Sequence, residues 1–440
     1  MTRRAFLEHT LVVGLTAGVA AGLLEACANR ATIFLVWESE HDTTGAWGGL
    51  VETFNQTNRA GIHVTYRSGP PDANELHGDQ QTMLGASSGS TDILSMDITW
   101  PATYAASGWL LPLDARWPVA AQAQFLRTPR QAAWLGDQLW AAPYHIDLGA
   151  LYYRTDLVSQ PPITWDALAA QAAQLSQAHK APAGFLWSGA PSEGLVCLFS
   201  ELLTSYGGSV FAPGDPYTVT VQSPAASAAL AQMMGWLSGG ASPPAVLTYG
   251  DDQSRQAWAQ GGGAFMRNWL SAYPLPGDGN WDPVRGKIGI ASVPGSAADS
   301  SGHACFGGWF VGINAFSRAP DASWEFVSYL LTPSRLLDIA RETGLPVAVT
   351  AAYDDATILA HQPALARVKP LLAGAQTRPI SPVYPAVTAA MQARLHQALL
   401  GQLTPDEALA ALQTHLQALS MRARPLPPDV PTVTATASPA

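Results

Sequence analysis

The chain has 440 residues, 48% of them hydrophobic and 13% charged, with a formal net charge of −10 from 23 basic and 33 acidic side chains. That length accommodates two or three ordinary domains, each with its own core. The acidic balance argues against nucleic acid and against a polybasic membrane-surface mode, and no run of 18 or more apolar residues beyond the N-terminus predicts a membrane-spanning helix in the body.

At the N-terminus, Arg3-Arg4 followed by Phe6-Leu7 resembles a twin-arginine export signal. The apolar stretch from Leu11 to Leu24 is too short to span a bilayer comfortably. Leu24-Glu25-Ala26-Cys27 resembles a lipobox, which makes residues 1–27 the export signal and Cys27 the lipidated first residue. An uncleaved Sec-type anchor is the other reading, and both put the body outside the cytoplasm. Only Ala28 to Thr32 separate Cys27 from the first strand-like run. That tether reaches under roughly 20 Å, so acylation would seat the first domain close to the membrane.

Strand-like runs follow at Ile33–Trp37, Ile62–Tyr66, Ile93–Met96 and Leu148–Tyr153. Trp165, Leu168, Ala172 and Leu175 then mark one face of a helix, and Ser223-Pro224 opens another that stops at Gly239-Gly240. Ile288–Ala291 and Trp309–Ile313 read as strands, and Thr332-Pro333 opens a helix ending at Gly344. Thr404-Pro405-Asp406-Glu407 supplies an N-cap, a first-turn proline and a capping-box glutamate, with Leu409, Leu412, Leu416 and Leu419 on one face. This alternation predicts an α/β architecture with mainly parallel sheets. The Pro/Thr/Ala-rich segment 425–440 reads as a disordered tail.

The 15 tryptophans and 12 tyrosines exceed what a core of this composition requires. Rings with polar neighbours suit carbohydrate, whose C–H faces stack while its hydroxyls need hydrogen bonds. Asp97 closes an apolar strand, where ligands gather in open α/β sheets, and Asp147 lies among apolar residues in PYHIDLGALYYR. Each also reads as a turn or cap aspartate. Gly261–Tyr273 (GGGAFMRNWLSAY) offers Asn268 and Trp269 beside core-like Phe265 and Met266. In QTRPISPVY, the planar fork of Arg378 could grip two hydroxyls or a carboxylate, or form a surface ion pair. In FGGWFVGIN, Trp309 follows two glycines and reads either as core at a strand end or as a ring facing a space left by Gly308. Cys197 and Cys305 could pair, although Cys197 sits in an apolar run where a buried free thiol is common. No Cys/His cluster has metal-ligand spacing, and GxSxG, P-loop and HExxH motifs are missing, so neither cofactor nor catalysis is expected.

Taken together, DILSMDITWPATYAASGWLLPLD (92–114), QLWAAPYHIDLGALYYRTDLV (138–158), PPITWDAL (161–168), SEGLVCLFSELLTSYGG (192–208), GAFMRNW (263–269), GHACFGGWFVGIN (302–314) and TRPISPVYPAVTAAMQARLHQALLGQLTPDEAL (377–409) resemble, collinearly, the family 1 extracellular solute-binding proteins of ABC sugar importers. The trehalose/maltose-binding branch is the most similar. The resemblance implies a two-lobed α/β periplasmic-binding-protein fold, a Venus flytrap with three inter-lobe hinge crossings. It implies a first lobe of 31–146 plus 311–362 and a second of 147–310 plus 363–424. It implies that Asp97 and Asp147 accept sugar hydroxyls, that Trp269 and Trp309 stack on the ligand, and that Gly308 lets backbone approach it. Arg378 would reach the ligand from the second lobe, and His145 stands where related chains carry tyrosine. Glu40, or Glu38, would supply the acid near the first strand. The expected activity is non-enzymatic capture of an α-linked disaccharide by a monomer anchored outside the membrane, with delivery to the permease subunits of an ABC transporter. A binding protein for glycerol phosphate or another small solute, and a secreted glycosidase, are the alternatives.

Overall fold

In the computed structural model, residues 32–423 are described, apart from 216, 275–278, 363–364, 367–368, 370–371 and 373–374. The expected export signal with Cys27 and the expected tail at 425–440 lie outside the described residues.

The first strand, β1 (Ile33–Ser39), runs parallel to β2 (Ile62–Ser68) and to β3 (Ile93–Asp97). Between them run α1 (Ala46–Thr57) and α2 (Ala73–Gly85). Helix α1 buries Trp47, Leu50, Val51 and Phe54, a stripe at helical spacing. Helix α2 starts where the Asp72 side chain accepts from the Asn74 amide. These are the parallel units that the sequence predicts.

The architecture changes at β4 (Ala142–Arg154), a 13-residue strand buried to its penultimate residue. It is followed by α3 (Trp165–Gln177), β5 (Ala183–Leu186), α4 (Glu193–Ser205), α5 (Pro224–Ser238), α6 (Asp251–Ala259), β6 (Gly263–Trp269), β7 (Ile288–Ala291) and β8 (Cys305–Ile313). The chain closes with α7 (Pro320–Leu330), α8 (Pro333–Thr343), β9 (Gln376–Thr377), α9 (Tyr384–Leu399) and α10 (Pro405–Ala423). The helices expected from Ser223-Pro224, Thr332-Pro333 and Thr404-Pro405 begin within a residue of their signals, and the first two end beside their glycines.

These nine strands join one sheet in the order β2-β1-β3-β8-β4-β6-β5, with β9 on β8 and β7 on β4, while Trp134–Leu135 and Gln138–Leu139 pair in a separate two-stranded sheet. The expectation of mainly parallel pairing is corrected here. Pairs β1·β2, β1·β3, β5·β6 and β8·β9 are parallel, whereas β3·β8, β4·β8, β4·β6 and β4·β7 are antiparallel. The reason is that β4 and β8 carry the chain across the sheet in opposite directions instead of continuing the right-handed crossovers. Strand β4 is bordered by β8 over Ala142–Leu148 and by β6 and β7 from Gly149 onward. It therefore belongs to both halves of the sheet.

Seven tryptophans (37, 47, 165, 187, 236, 258 and 281) are among the largest fully buried side chains, so much of the aromatic excess builds core. Burying an indole strands its N–H, and three of these find a serine hydroxyl. Trp37 donates to Ser95 at 3.1 Å, Trp165 to Ser205 at 3.1 Å, and Trp187 to Ser242 at 2.9 Å.

Candidate functional site

The site grows from the register of β4 on β8. Phe310 lies opposite Pro143, but the next residue of β8, Trp309, lies opposite His145. Two steps on β4 match one on β8, so Tyr144 is the extra residue of a β-bulge. A bulge turns consecutive side chains toward one face, which strict alternation forbids. Tyr144 and His145 accordingly meet the same acid: the Tyr144 hydroxyl donates to Glu40 Oε2, and His145 Nδ1 lies 3.2 Å from Glu40 Oε1.

Residues opposite one another across antiparallel strands share a face. Trp309 lies opposite both His145 on β4 and Asp97 on β3. Two residues further, Gly307 lies opposite Asp147, and Gly149 lies opposite Trp269 of β6. The structure therefore lines up Asp97, Trp309, His145, Asp147 and Trp269 across four strands of one face. Asp97, Trp269 and Trp309 keep partial exposure, whereas His145 and Asp147 are buried. Trp309 meets Trp100 edge-on, with ring centroids 5.7 Å apart.

The acids along this row are fixed by donors. Asp97 Oδ1 accepts from the Thr99 amide at 3.0 Å and its hydroxyl at 2.7 Å. Asp147 Oδ1 takes the Leu148 and Ser271 amides, and Oδ2 takes the Ser271 hydroxyl. Burial nonetheless raises the Asp147 carboxyl above its ordinary value. Asp147 lies inside β4, not just before a strand as the sequence reading has it. Of the two candidate acids near β1, Glu40 meets His145 and Tyr144, whereas Glu38 accepts from Gln80 at 3.3 Å.

Gly308 lies on β8 where that strand faces the bulge of β4. The space expected over it is filled by backbone: with φ of 141°, a Cβ there would lie 2.7 Å from the His145 carbonyl oxygen and 2.8 Å from the Ile146 Cα. The glycine lets β8 close onto β4 at the bulge. It is Gly307 that leaves room for a ring, since a Cβ there would lie 2.9 Å from Trp269.

Trp269 is held from two sides. Its indole N–H donates to Asp251 Oδ2 at 3.0 Å, at the start of α6, and the Arg267 guanidinium lies 4.5 Å from its ring centroid. Arg267 in turn pairs with Glu201 through two bonds, of 2.6 and 3.0 Å, in a fully buried setting. Burial opposes the Arg267 charge, and the Glu201 carboxylate more than restores it, leaving the base above its ordinary value.

Arg378 is also buried, which removes the surface-pair reading. Nη2 donates to Asp97 at 2.8 Å and Nη1 to Glu193 at 2.6 Å. Glu193 further accepts from the Tyr384 hydroxyl and, at 2.5 Å, from Thr388. Glu193, Cys197 and Glu201 recur every fourth residue of α4 and face Arg378, Cys305 and Arg267. Cys197 and Cys305 are buried free thiols, with burial pushing the Cys197 thiol well up. Beside Asp97, burial lowers the His77 imidazole to about 4.

Sequence reasoning did not single out Glu193, Glu201 or Asp251. One signal for the second was available: Glu201 and Arg267 each stand in an otherwise apolar run, where an unpaired charge is costly. Among the described residues, no group of three or more His, Cys, Asp or Glu could hold a metal, and no helix is long and apolar enough to cross a membrane. A surface depression of about 440 Å³ between α1 and α7 lies away from this row, lined by Phe54, Tyr329 and Arg335 among others.

Residues 38–334 match the family described as bacterial extracellular solute-binding protein. A probable ABC transporter-binding protein of Deinococcus radiodurans is 32% identical over 355 residues, 78% of this chain and 83% of the relative. A mannitol-binding protein of Pseudomonas aeruginosa is 24% identical, over 76% of this chain and 81% of its own. Maltose-bound MalE3 of T. maritima superposes with a TM-score of 0.81 at 30% identity, covering 88% of this chain and all of that one.

Proposed function

This chain belongs to the bacterial extracellular solute-binding protein family, and we propose that it captures an α-linked disaccharide of maltose or trehalose type for an ABC permease. The observation carrying this reading is the row Asp97, Trp309, His145, Asp147 and Trp269 on one sheet face. Rings flanked by fixed carboxylates match a ligand with C–H faces and hydroxyl edges. Trp309 and Trp269 stack on the sugar; Asp97 and Asp147 accept its hydroxyls. Glu40 and Glu193 position His145 and Arg378. The likeness to maltose-bound MalE3 supports a sugar, while the mannitol-binding relative makes a hexitol the second ligand class to test. An anionic solute is disfavoured because Arg267 and Arg378 are each already paired with carboxylates.

In this reading the first lobe comprises 31–146 and 311–362 and the second 147–310 and 363–424, with β4 and β8 as crossing strands. Sugar contacts from both lobes favour closure, because a ligand shifts an equilibrium only by its differential affinity. The monomer is exported through the signal at 1–27 and held at the membrane by lipid on Cys27. Micromolar affinity, about −8 kcal/mol, suffices for capture.

The test is a thermal-shift and calorimetric panel of maltose, trehalose, mannitol and glycerol phosphate on the domain from Ala28. Binding raises the melting temperature with the logarithm of ligand concentration. A response to maltose or trehalose, lost in Trp309→Ala, is expected. Response to mannitol alone transfers the assignment to hexitols, and an unimpaired Trp309→Ala sinks the stacking role.

A further inference from the structure

The bulge does more than present a ring. The Tyr144 hydroxyl donates to Glu40 Oε2, and Glu40 Oε1 lies 3.2 Å from Nδ1 of His145. Burial keeps the Tyr144 phenol protonated, far above its ordinary range, so it remains the donor of its bond. The Glu40–His145 pair holds one proton between a carboxyl oxygen and Nδ1, and in the doubly protonated imidazole Nδ1 is the donor of that bond. In that form the second N–H, on Nε2, is left to face a ligand. Nε2 is buried and without a hydrogen-bond partner among the described residues. It belongs to the residue directly opposite Trp309 and two positions from Asp147, within the row of the proposed site.

We propose that Glu40 and His145 form a proton-linked donor in the ligand site, so that the chain binds its sugar most tightly with the imidazole doubly protonated. The proposal rests on the sugar reading above and adds to it a pH dependence. The groups around the ring favour the charged form. Glu40 at the end of β1, Asp147 on β4 and Asp42 in the loop after β1 are acids that stabilise the imidazolium. Tyr144 on β4 and Tyr66 on β2 carry phenols that burial keeps neutral. Trp47 of α1 supplies a ring 6.2 Å away. Burial alone would lower the imidazole, and Glu40 reverses the sign.

A sugar hydroxyl can donate or accept, so losing the proton weakens the contact without abolishing it. A charge-assisted bond exceeds a neutral one enough to predict a Kd for maltose about five- to tenfold higher above the titration than below it. Linkage is reciprocal: saturating maltose must raise the proton affinity of His145 by the same factor.

The experiment combines maltose calorimetry from about pH 5 to about pH 9 with an NMR titration of the His145 imidazole, with and without maltose. The expected result is a Kd that rises with pH around the ligand-free His145 midpoint, and a midpoint that moves up when maltose binds. Glu40→Gln should lower the ligand-free midpoint and move the binding curve to lower pH with it, a displacement that a merely structural loss would not produce. His145→Gln should bind with no such dependence. Maltose binding that is flat with pH, or a His145 midpoint unmoved by maltose, overturns the proposal and leaves the sugar reading intact. Failure of maltose, trehalose and mannitol to bind at any pH overturns both.

Discussion

Arg378 donates to Glu193 across 2.6 Å, joining a residue that follows β9 to the first residue of α4. Its other terminal nitrogen reaches Asp97 at the end of β3, so one buried guanidinium ties the end of β3 to the start of α4. An arginine shared by two carboxylates is geometrically fixed in a way that a lysine is not.

Removing one of those carboxylates leaves a buried cation undercompensated, and the cost falls on the remaining partners. Glu193→Gln should destabilise the fold by about 2 kcal/mol, less than a fully dry pair because Glu193 is partly exposed. It should also weaken maltose binding several-fold by freeing the Arg378 fork. Chemical denaturation and calorimetry check both. An unchanged Kd would mean that Arg378 is held without Glu193.

The adjacent glycines of β8 separate folding from binding. Gly308→Ala places a Cβ against β4 backbone at a φ that side chains rarely adopt, so a loss of about 2–4 kcal/mol is expected. Gly307→Ala meets the Trp269 ring instead, which can yield. That variant should fold nearly normally, alter tryptophan fluorescence and bind sugar less well. Equal effects of the two substitutions on stability would contradict this division.

Glu201 and Arg267 make the deepest ion pair of the site. Glu201→Gln should cost about 3–5 kcal/mol by leaving Arg267 buried and uncompensated. Glu201→Gln combined with Arg267→Met should cost less than Glu201→Gln alone, because no charge then remains in the interior. A double-mutant cycle measures the coupling, and a double variant less stable than the single would exclude this account.

Two histidines bend the pH dependence of stability in opposite directions. His77 is held neutral, its value lowered from 6.5 to about 4, so it stabilises the fold above about pH 6.5 and that contribution drains away as pH falls toward 4. The loss is at most about 3 kcal/mol. His145, raised in the fold, stabilises below about pH 6.5 and loses that effect as pH rises through its folded value. His77→Gln should flatten the acid limb of a denaturation-versus-pH curve, and an unaltered acid limb would remove His77 from it.

The parts of this protein governed by local rules were legible in the amino-acid order. Caps and proline positions located α5, α8 and α10, and apolar runs located β1, β2, β3 and β7. Both depend on neighbours within a few residues. The acids and rings of the row were also visible as residue types out of place, since a carboxylate or indole in an apolar run demands a partner.

What only the tertiary structure decided is who the partners are. The register that sets His145 beside Trp309 depends on a one-residue bulge, and a shift of one residue in a strand exchanges its faces. Gly308 and Gly307 are indistinguishable as letters, yet one meets backbone and the other a ring. Arg378 finds Asp97 281 residues away and Glu193 185 residues away. The mixed sheet has the same origin. Pairing direction is set by how β4 and β8 traverse the molecule, a long-range property that no local periodicity encodes.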